Sequence, residues 1–519
     1  MTTKTRPSQS EGPDRSSLYK IGLPIFAVLL LTAVAAYWSI LNNTLAGDDY
    51  AEIKRLYQIP ATELWRLFAV CVPTFIRPVP YFMYWFHYRF FGLEGLPSHL
   101  INVGLHAGSS FLLFWFLARN GIQRLAAFMA AALFLLTPLA PEAVSWSDGR
   151  FDSSVLFFIM LTLGLYTVTL QKSSRMAYAG ALLAAVAAFL SKESAVILLL
   201  LVPAMELMFS IYPPASTAID SPAASSLQNR VRESALRVAP FFVAIGFFFI
   251  LRFPTLGGLG GYKEVRQFGM PNLFAPARTI LTLLAPLDRL MFPRATILVL
   301  ATCVGILYLI AAGLIVIRWK QATGQARRVL LILLIFFISS LFPVYSAFFI
   351  DGMSSYLVNS RFFYVPNLAF ITLMVVGLYA FGMRGQAWRT AVTIALALLL
   401  PVYFWGLNHN NRIWERTAAI SYEITTDLQK QLPDPPQDAI FYFQNVPLVE
   451  GAHFYANGLP ETVIMIYNRP DIKTYYVDPD PVFRVNKTSV YGGPPPDGYL
   501  FSYDTETGRM LLVRGPLTR

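Results

Sequence analysis

Two cysteines and five histidines in 519 residues, with only 14% of positions charged, leave this chain little of the usual chemistry of a soluble protein. Cys71 and Cys303 lie far apart inside apolar stretches and allow at most one bridge, which excludes a disulfide scaffold; both read as packing residues. With no Cys or third His at ligand spacing, the sequence carries no zinc signature. Scarce charge beside 55% hydrophobic residues and a mean hydropathy of +0.51 excludes a cytosolic enzyme. The net charge is +11, but no basic stripe with interleaved aromatics appears, so nucleic acid is not an expected partner. Arginines and lysines sit at the ends of apolar runs instead, which is a membrane signature with lipid as the surroundings.

A helix needs about 20 apolar residues to cross the hydrocarbon core. Eleven largely apolar segments approach that length: 20–41, 99–118, 124–140, 153–170, 176–191, 195–211, 234–252, 296–317, 328–347, 363–382 and 389–407. The expected fold is therefore a polytopic α-helical membrane protein of about eleven transmembrane helices with a small C-terminal α/β domain. Orientation follows from charge. With a cytoplasmic N-terminus, the inner segments hold Arg119, Arg124, Lys172, Arg175, Arg230, Arg318, Arg327, Arg328 and Arg389 among others. The short outer turns 141–152, 192–194 and 348–361 hold only Arg150, Lys192 and Arg361. Residues 1–19 then form a disordered cytoplasmic leader, 20–407 the membrane domain with outer loops 42–98 and 253–295, and 408–519 an extracytoplasmic domain. Ala33-Val34-Ala35 also fits a signal-peptide cleavage site, against which the apolar run continues to Leu41.

Outside the spans, residues 50–58 and 61–72 show helical patterns, and the aromatic-dense stretch 81–91 suits an interfacial helix, as does 278–292. Gly257 to Gly261 follows no strand and reads as a mobile loop rather than a phosphate loop. The tail begins with a helix at 411–431. Strand-like runs follow at 439–444, 462–467 and 474–477, then a hairpin pairing 499–503 with 509–513.

Ionisable groups at span ends are the informative ones, because burying them is costly. On the outer side they are Asp48-Asp49, Glu142, Asp148, Arg150, Asp152, Lys192-Glu193 and Arg361 with Tyr364. His99, Asn102 and His106 share one helical face. Carboxylates beside Arg and Lys at a membrane face suit transfer of a sugar from a lipid phosphate to a hydroxyl. That reaction needs a base for the acceptor proton and cations for the departing phosphate. Asp48-Asp49 could equally start a helix or, with phosphate, coordinate a hard divalent cation, so metal stays unknown. The histidines read more simply as interhelical hydrogen-bonding groups, and Glu206 as an acid of the opposite interface.

In order along residues 20–407, these pieces resemble the glycosyltransferase C superfamily, in particular the membrane part of the tetratricopeptide-containing protein O-mannosyltransferases and their bacterial relatives. The resemblance is carried by the aspartate pair, Arg77-Pro78, the His99/Asn102/His106 helix, Pro141-Glu142-Ala143-Val144 with Trp146 and Gly149-Arg150, Ser191-Lys192-Glu193, and Arg361 to Pro366. It implies a hexosyltransferase with a polyprenyl-phosphate sugar donor, direct inverting displacement, and Asp48 or Asp49 as base. It further implies donor-phosphate contacts from Arg361, Lys192 and Arg150, and sugar or acceptor positioning by Glu142, Glu193, His99 and Tyr364. No tetratricopeptide repeats follow the spans, so mannose and the acceptor, whether glycan, lipid or protein, stay open. An outer-face glycan ligase or polymerase and a lipid or solute transporter are the rival readings. Mid-span charges and paired interrupted helices, which a transporter calls for, are not evident.

Overall fold

A computed structural model describes residues 15–68, 75–214, 227–256, 275–344, 357–383, 385–452, 454–455, 458–479 and 489–516. Cys71, the Gly257 to Gly261 loop, Arg384 and most of the expected leader lie outside these residues. The helices are α1 (Arg15–Ala36), α2 (Asp48–Leu56), α3 (Pro78–Phe91), α4 (Gly95–Arg119), α5 (Arg124–Leu135), α6 (Pro141–Val144), α7 (Arg150–Lys172), α8 (Arg175–Phe189), α9 (Leu198–Ile211), α10 (Leu227–Leu256), α11 (Ala275–Leu284), α12 (Arg294–Arg318), α13 (Gly324–Phe342), α14 (Tyr364–Ala380), α15 (Gln386–Gln431) and α16 (Leu459–Tyr467). Among the described residues, eight helices are long and apolar enough to cross a membrane, while the apolar helices Ile21–Ala36, Arg124–Leu135 and Arg175–Phe189 are shorter. By length and composition the count is thus eight, with shorter helices at three of the other expected spans.

One large apolar core joins these helices. α14 is almost entirely enclosed within it, whereas α10 and α12 leave most of their apolar surface outward. Outward apolar surface is what lipid requires, and it accounts for Cys303: expected to pack, it is exposed on α12 beside Val299 and Ile306. α5 stops at Leu135, short of the expected 140, because Pro138 cannot continue the hydrogen-bond ladder. The chain beyond stays buried: Asn410 Nδ2 satisfies the backbone carbonyl of Pro138 at 2.7 Å, and Asn367 Nδ2 donates to the Thr137 side chain, at Oγ1, at 3.0 Å. The helix expected at 278–292 likewise ends early, at Leu284 before Pro286.

Two expectations for the tail change. The span ending at 407 and the helix starting at 411 are one continuous helix, α15, about 69 Å long at 1.5 Å per residue. Nothing between Leu407 and Asn411 breaks a helix, and Asn408 and His409 simply bond back to the carbonyls of Phe404 and Trp405. The run at 462–467 is helical within α16, not a strand. Its β-branched residues favour a strand, but Pro460 and Glu461 in the first turn favour a helix start, and the sheet needs a crossover there. Strands β1 (Ile440–Gln444), β2 (Lys473–Val477), β3 (Ser489–Val490), β4 (Tyr499–Asp504) and β5 (Arg509–Arg514) form a sheet ordered β3-β2-β1-β4-β5. β1 pairs in parallel with β2 and β4, and β4 with β5 makes the expected antiparallel hairpin. The central residues of β1 are buried, as a parallel strand covered on both faces should be.

The sheet is fixed to the far half of α15 by Asp427. Its buried carboxylate accepts from Arg509 Nε at 2.8 Å, from Arg509 Nη2, and from the Met510 backbone N–H at 3.0 Å. Asp427→Asn should therefore loosen β5 from α15 and lower stability by about 1–2 kcal/mol, the exposure of Arg509 keeping the loss modest. Thermal unfolding of the full chain in detergent, with protease resistance of the C-terminal sheet as readout, checks this.

Candidate functional site

The C-termini of α1 and α8 and the N-termini of α4, α7, α9 and α14 lie at one end of the bundle, where contacts such as Lys192 with Asp152 and Arg361 with Glu142 tie them together. α2 starts at Asp48 after the turn residue Gly47, so both aspartates fall in its first turn, where the helix dipole favours negative charge. They are not equivalent. Asp49 is buried and turns back, its Oδ2 accepting the Ala46 N–H at 3.0 Å while Oδ1 has no partner among the described residues. Asp48 stays half-buried. Burial pushes its carboxyl up to about 7, the like charges of Asp148 and Glu52 add to the shift, and Arg55 and Arg361 oppose it. Glu52, one turn further on and paired with Arg55, is also raised to about 7, chiefly by burial.

The segment 141–150 folds back on itself below these acids. A side chain at Gly149 would come within 2.5 Å of the Glu142 carbonyl oxygen, so only glycine allows this approach. Asn102 Nδ2 donates to the carbonyls of Val144, Trp146 and Ser147 at 3.3, 2.9 and 3.2 Å, fixing the turn. Glu142 accepts from Asn359 N, Ser360 Oγ and Arg361 N at 3.3, 3.0 and 3.1 Å and from the Arg361 guanidinium. It therefore ties 359–361 to α6. Arg150 is fully buried without a hydrogen-bonded carboxylate. It donates to Asn102 Oδ1 and Ser98 O, both at 3.3 Å, and to Ser98 Oγ at 2.5 Å, and lies over the Tyr84 ring at 4.1 Å. Among the described residues its Nη1 has no partner.

The other cations are paired across elements. Glu193 bridges Arg77 at 2.8 Å and Arg252 at 2.7 Å. Arg252 is buried, and its Nε and Nη2 have no partner among the described residues. Lys192 meets Asp152 at 2.5 Å and lies 4.7 Å from the Phe362 ring centroid; burial holds its ammonium below the usual lysine range. Arg361 lies over Trp146 and Phe362 at 4.9 and 4.8 Å. Arg77, Arg150, Lys192, Arg252 and Arg361 thus gather with the hydrogen-bonded carboxylates of Glu142, Asp152 and Glu193. Beside them stands the acidic group of Asp48, Asp49, Glu52 and Asp148, with Tyr84 donating to Asp148 Oδ1 at 3.4 Å.

The structure brings Asp48, Asp49, Glu142, Arg150, Lys192, Glu193 and Arg361 to this one end. His99 is buried at its edge, with Nε2 against Asn43 O at 3.2 Å. Tyr364 lies inside the bundle, its hydroxyl 2.6 Å from His106 Nδ1, and the other ring nitrogen of His106 meets Leu135 O at 3.0 Å. Glu206 belongs to the opposite end with Arg237, Tyr166 and Ser234. Sequence reasoning missed Glu52, Arg55, Tyr84 and Arg252. Arg252 had a visible signal, a lone arginine closing an apolar run. Among the described residues, no group of three or more His, Cys, Asp or Glu is arranged to hold a metal ion.

Fold and site define a polytopic membrane protein with paired acidic and cationic groups gathered at one end of its helices. No family model matches the chain, and no curated protein matches it by sequence. Solved structures similar to it include ArnT from Cupriavidus metallidurans in the apo state, at 14% identity and a TM-score of 0.42, covering 95% of this chain and 94% of that one. The same protein bound to undecaprenyl phosphate gives 14% identity, a TM-score of 0.39 and the same coverage. With both scores below 0.5, the functional reading rests on the site itself.

Glu142→Ala would strip four donors of their acceptor, among them a guanidinium with little access to water. The expected loss is about 3–5 kcal/mol, read as a lowered midpoint of thermal unfolding in detergent, with Glu142→Gln losing less.

Proposed function

We propose that the protein is a membrane glycosyltransferase, transferring a hexose from a polyprenyl-phosphate carrier to an acceptor hydroxyl, with inversion. The observation that carries this reading is the half-buried carboxylate of Asp48, its proton affinity raised by burial and by Asp148 and Glu52, in the field of Arg361 and Arg55. Asp48 takes the proton of the acceptor hydroxyl as its oxygen attacks the anomeric carbon. The bond from that carbon to the phosphate oxygen breaks on the opposite face, and the carrier leaves with added negative charge. Arg150, Arg252 and Arg361 meet that charge; such groups, oriented before reaction and shielded from water, stabilise it without reorganising. Lys192 and Glu193 act behind them by holding Phe362, Arg77 and Arg252 in place. Asp49 holds the loop from which Asp48 projects.

The positive-inside distribution supports a bacterial cytoplasmic membrane with the N-terminus inside, the site and residues 408–519 outside, and 20–407 as the membrane domain. The three shorter apolar helices support eleven spans when added to the eight longer ones.

Purified protein is to be incubated with a panel of polyprenyl-phosphate monosaccharides, with and without a chelator. Consumption of one donor with formation of a glycoside is expected, and Asp48→Asn should lower kcat by about 10²–10⁴-fold. Use of preassembled lipid-linked glycans alone would make it a ligase, and flux in sealed vesicles without product would make it a transporter.

A second prediction concerns pH. The base works deprotonated and its carboxyl is raised to about 7, so kcat/KM should climb with pH through about 7 and level off above. Asp148→Asn removes a like charge that raises Asp48, so the midpoint of the profile should move down.

A further inference from the structure

The C-terminal domain converges on the loop that bears Asp48. α16 opens at Gly458, whose φ is +93° and where a Cβ would stand 2.2 Å from Gly47 O and 3.1 Å from Asp48 N. The two backbones therefore touch at the residue preceding the base. From the far half of α15, Ser421 Oγ donates to Leu45 O at 2.8 Å and pairs with the Tyr455 hydroxyl at 3.1 Å. Thr44 Oγ1 donates to Ala418 O at 2.9 Å. Ala46 packs in the apolar core of the C-terminal domain with Tyr455 and Leu459, while Leu45 shares a second cluster with Met465 of α16. At the other end of α2, Lys54 stands 3.9 Å from Glu461. Each residue from Thr44 to Gly47 thus meets α15, α16 or the C-terminal core.

We propose that the C-terminal domain is a positioning element for the reaction, with Gly458 and Ser421 setting the backbone of residues 44–48 and through it the place and solvation of the Asp48 carboxylate. This rests on Asp48 being the base. A displacement of about 1 Å at a reacting group costs on the order of 10²-fold in rate. The same clamp helps to keep water from Asp48, burial being the main cause of its raised pKa.

The test uses the full chain with Gly458→Ala, Ser421→Ala and, for comparison, Gly498→Ala. A Cβ at Gly498 would lie 2.5 Å from Ile440 O, which strains the sheet itself without touching residues 44–48. Measured on the folded fraction, Gly458→Ala should lower kcat tenfold or more, and Ser421→Ala severalfold. The KM for the lipid donor should stay within about threefold, and the midpoint of the pH profile should fall below that of the wild type as Asp48 gains water. Amide hydrogen exchange at residues 44–50 should quicken in both variants. Gly498→Ala should keep wild-type kcat, pH midpoint and exchange at 44–50. Equal loss of kcat in Gly458→Ala and Gly498→Ala, or unchanged exchange or kcat in Gly458→Ala and Ser421→Ala, would overturn the positioning role. Because exchange is read without turnover, an Asp48→Asn enzyme of full activity would remove the base and leave the clamp to be judged separately.

Discussion

A charge at the end of an apolar bundle must meet a counter-charge, bond to polar groups or stay in water, and here most of these charges are buried. Stripping one partner from a buried pair costs more than the pair ever contributes, so each such group fixes the element that supplies its partner. Glu193 at the start of α9 binds Arg77 before α3 and Arg252 near the end of α10. Asp152 in α7 binds Lys192 after α8, and Glu142 in α6 binds the turn that opens α14. These pairs help to set the register of the helices at one end, as His106 with Tyr364 does within the bundle.

The same demand generates the chemistry. The cations that hold the buried carboxylates, Arg77 and Arg361 among them, also favour an added negative charge, and beside them burial and like charge raise the proton affinity of Asp48 and Glu52. Anion binding and proton acceptance are neighbouring consequences of one crowded, poorly solvated set of groups. α15 extends this set beyond the spans: Asn410 and Asn411 bond within the bundle, Trp414 stacks on Trp146 at 5.5 Å, and Ser421 and Asp427 hold the C-terminal domain.

Much of this was legible in sequence. Long apolar runs define helices whatever their neighbours, because backbone groups in lipid must be satisfied within the helix itself. Asp48, Glu142, Arg150, Lys192 and Arg361 stood out because charge is rare in such a chain. Less was visible where local signals conflicted. Residues 462–467 carry strand-favouring side chains but form the crossover helix, and Leu407 to Asn411 change from apolar to polar without any break in the helix. Composition changed there while the backbone did not, so a boundary in one was mistaken for a boundary in the other.

Partner identity was beyond the sequence altogether. Arg150, which the resemblance assigned to the donor phosphate, binds Ser98 and Asn102 over Tyr84, and Tyr364 turns inward to His106. The sequence by itself determined that the chain fills a membrane and that its few polar groups gather toward one side, because hydropathy and charge act through solvent and need no particular neighbour. Which acid keeps access to the site, which arginines keep free donors, and that residues 44–48 lie under the C-terminal domain were decided only by tertiary structure, because proton affinity, desolvation and backbone contact depend on groups hundreds of residues apart in the chain.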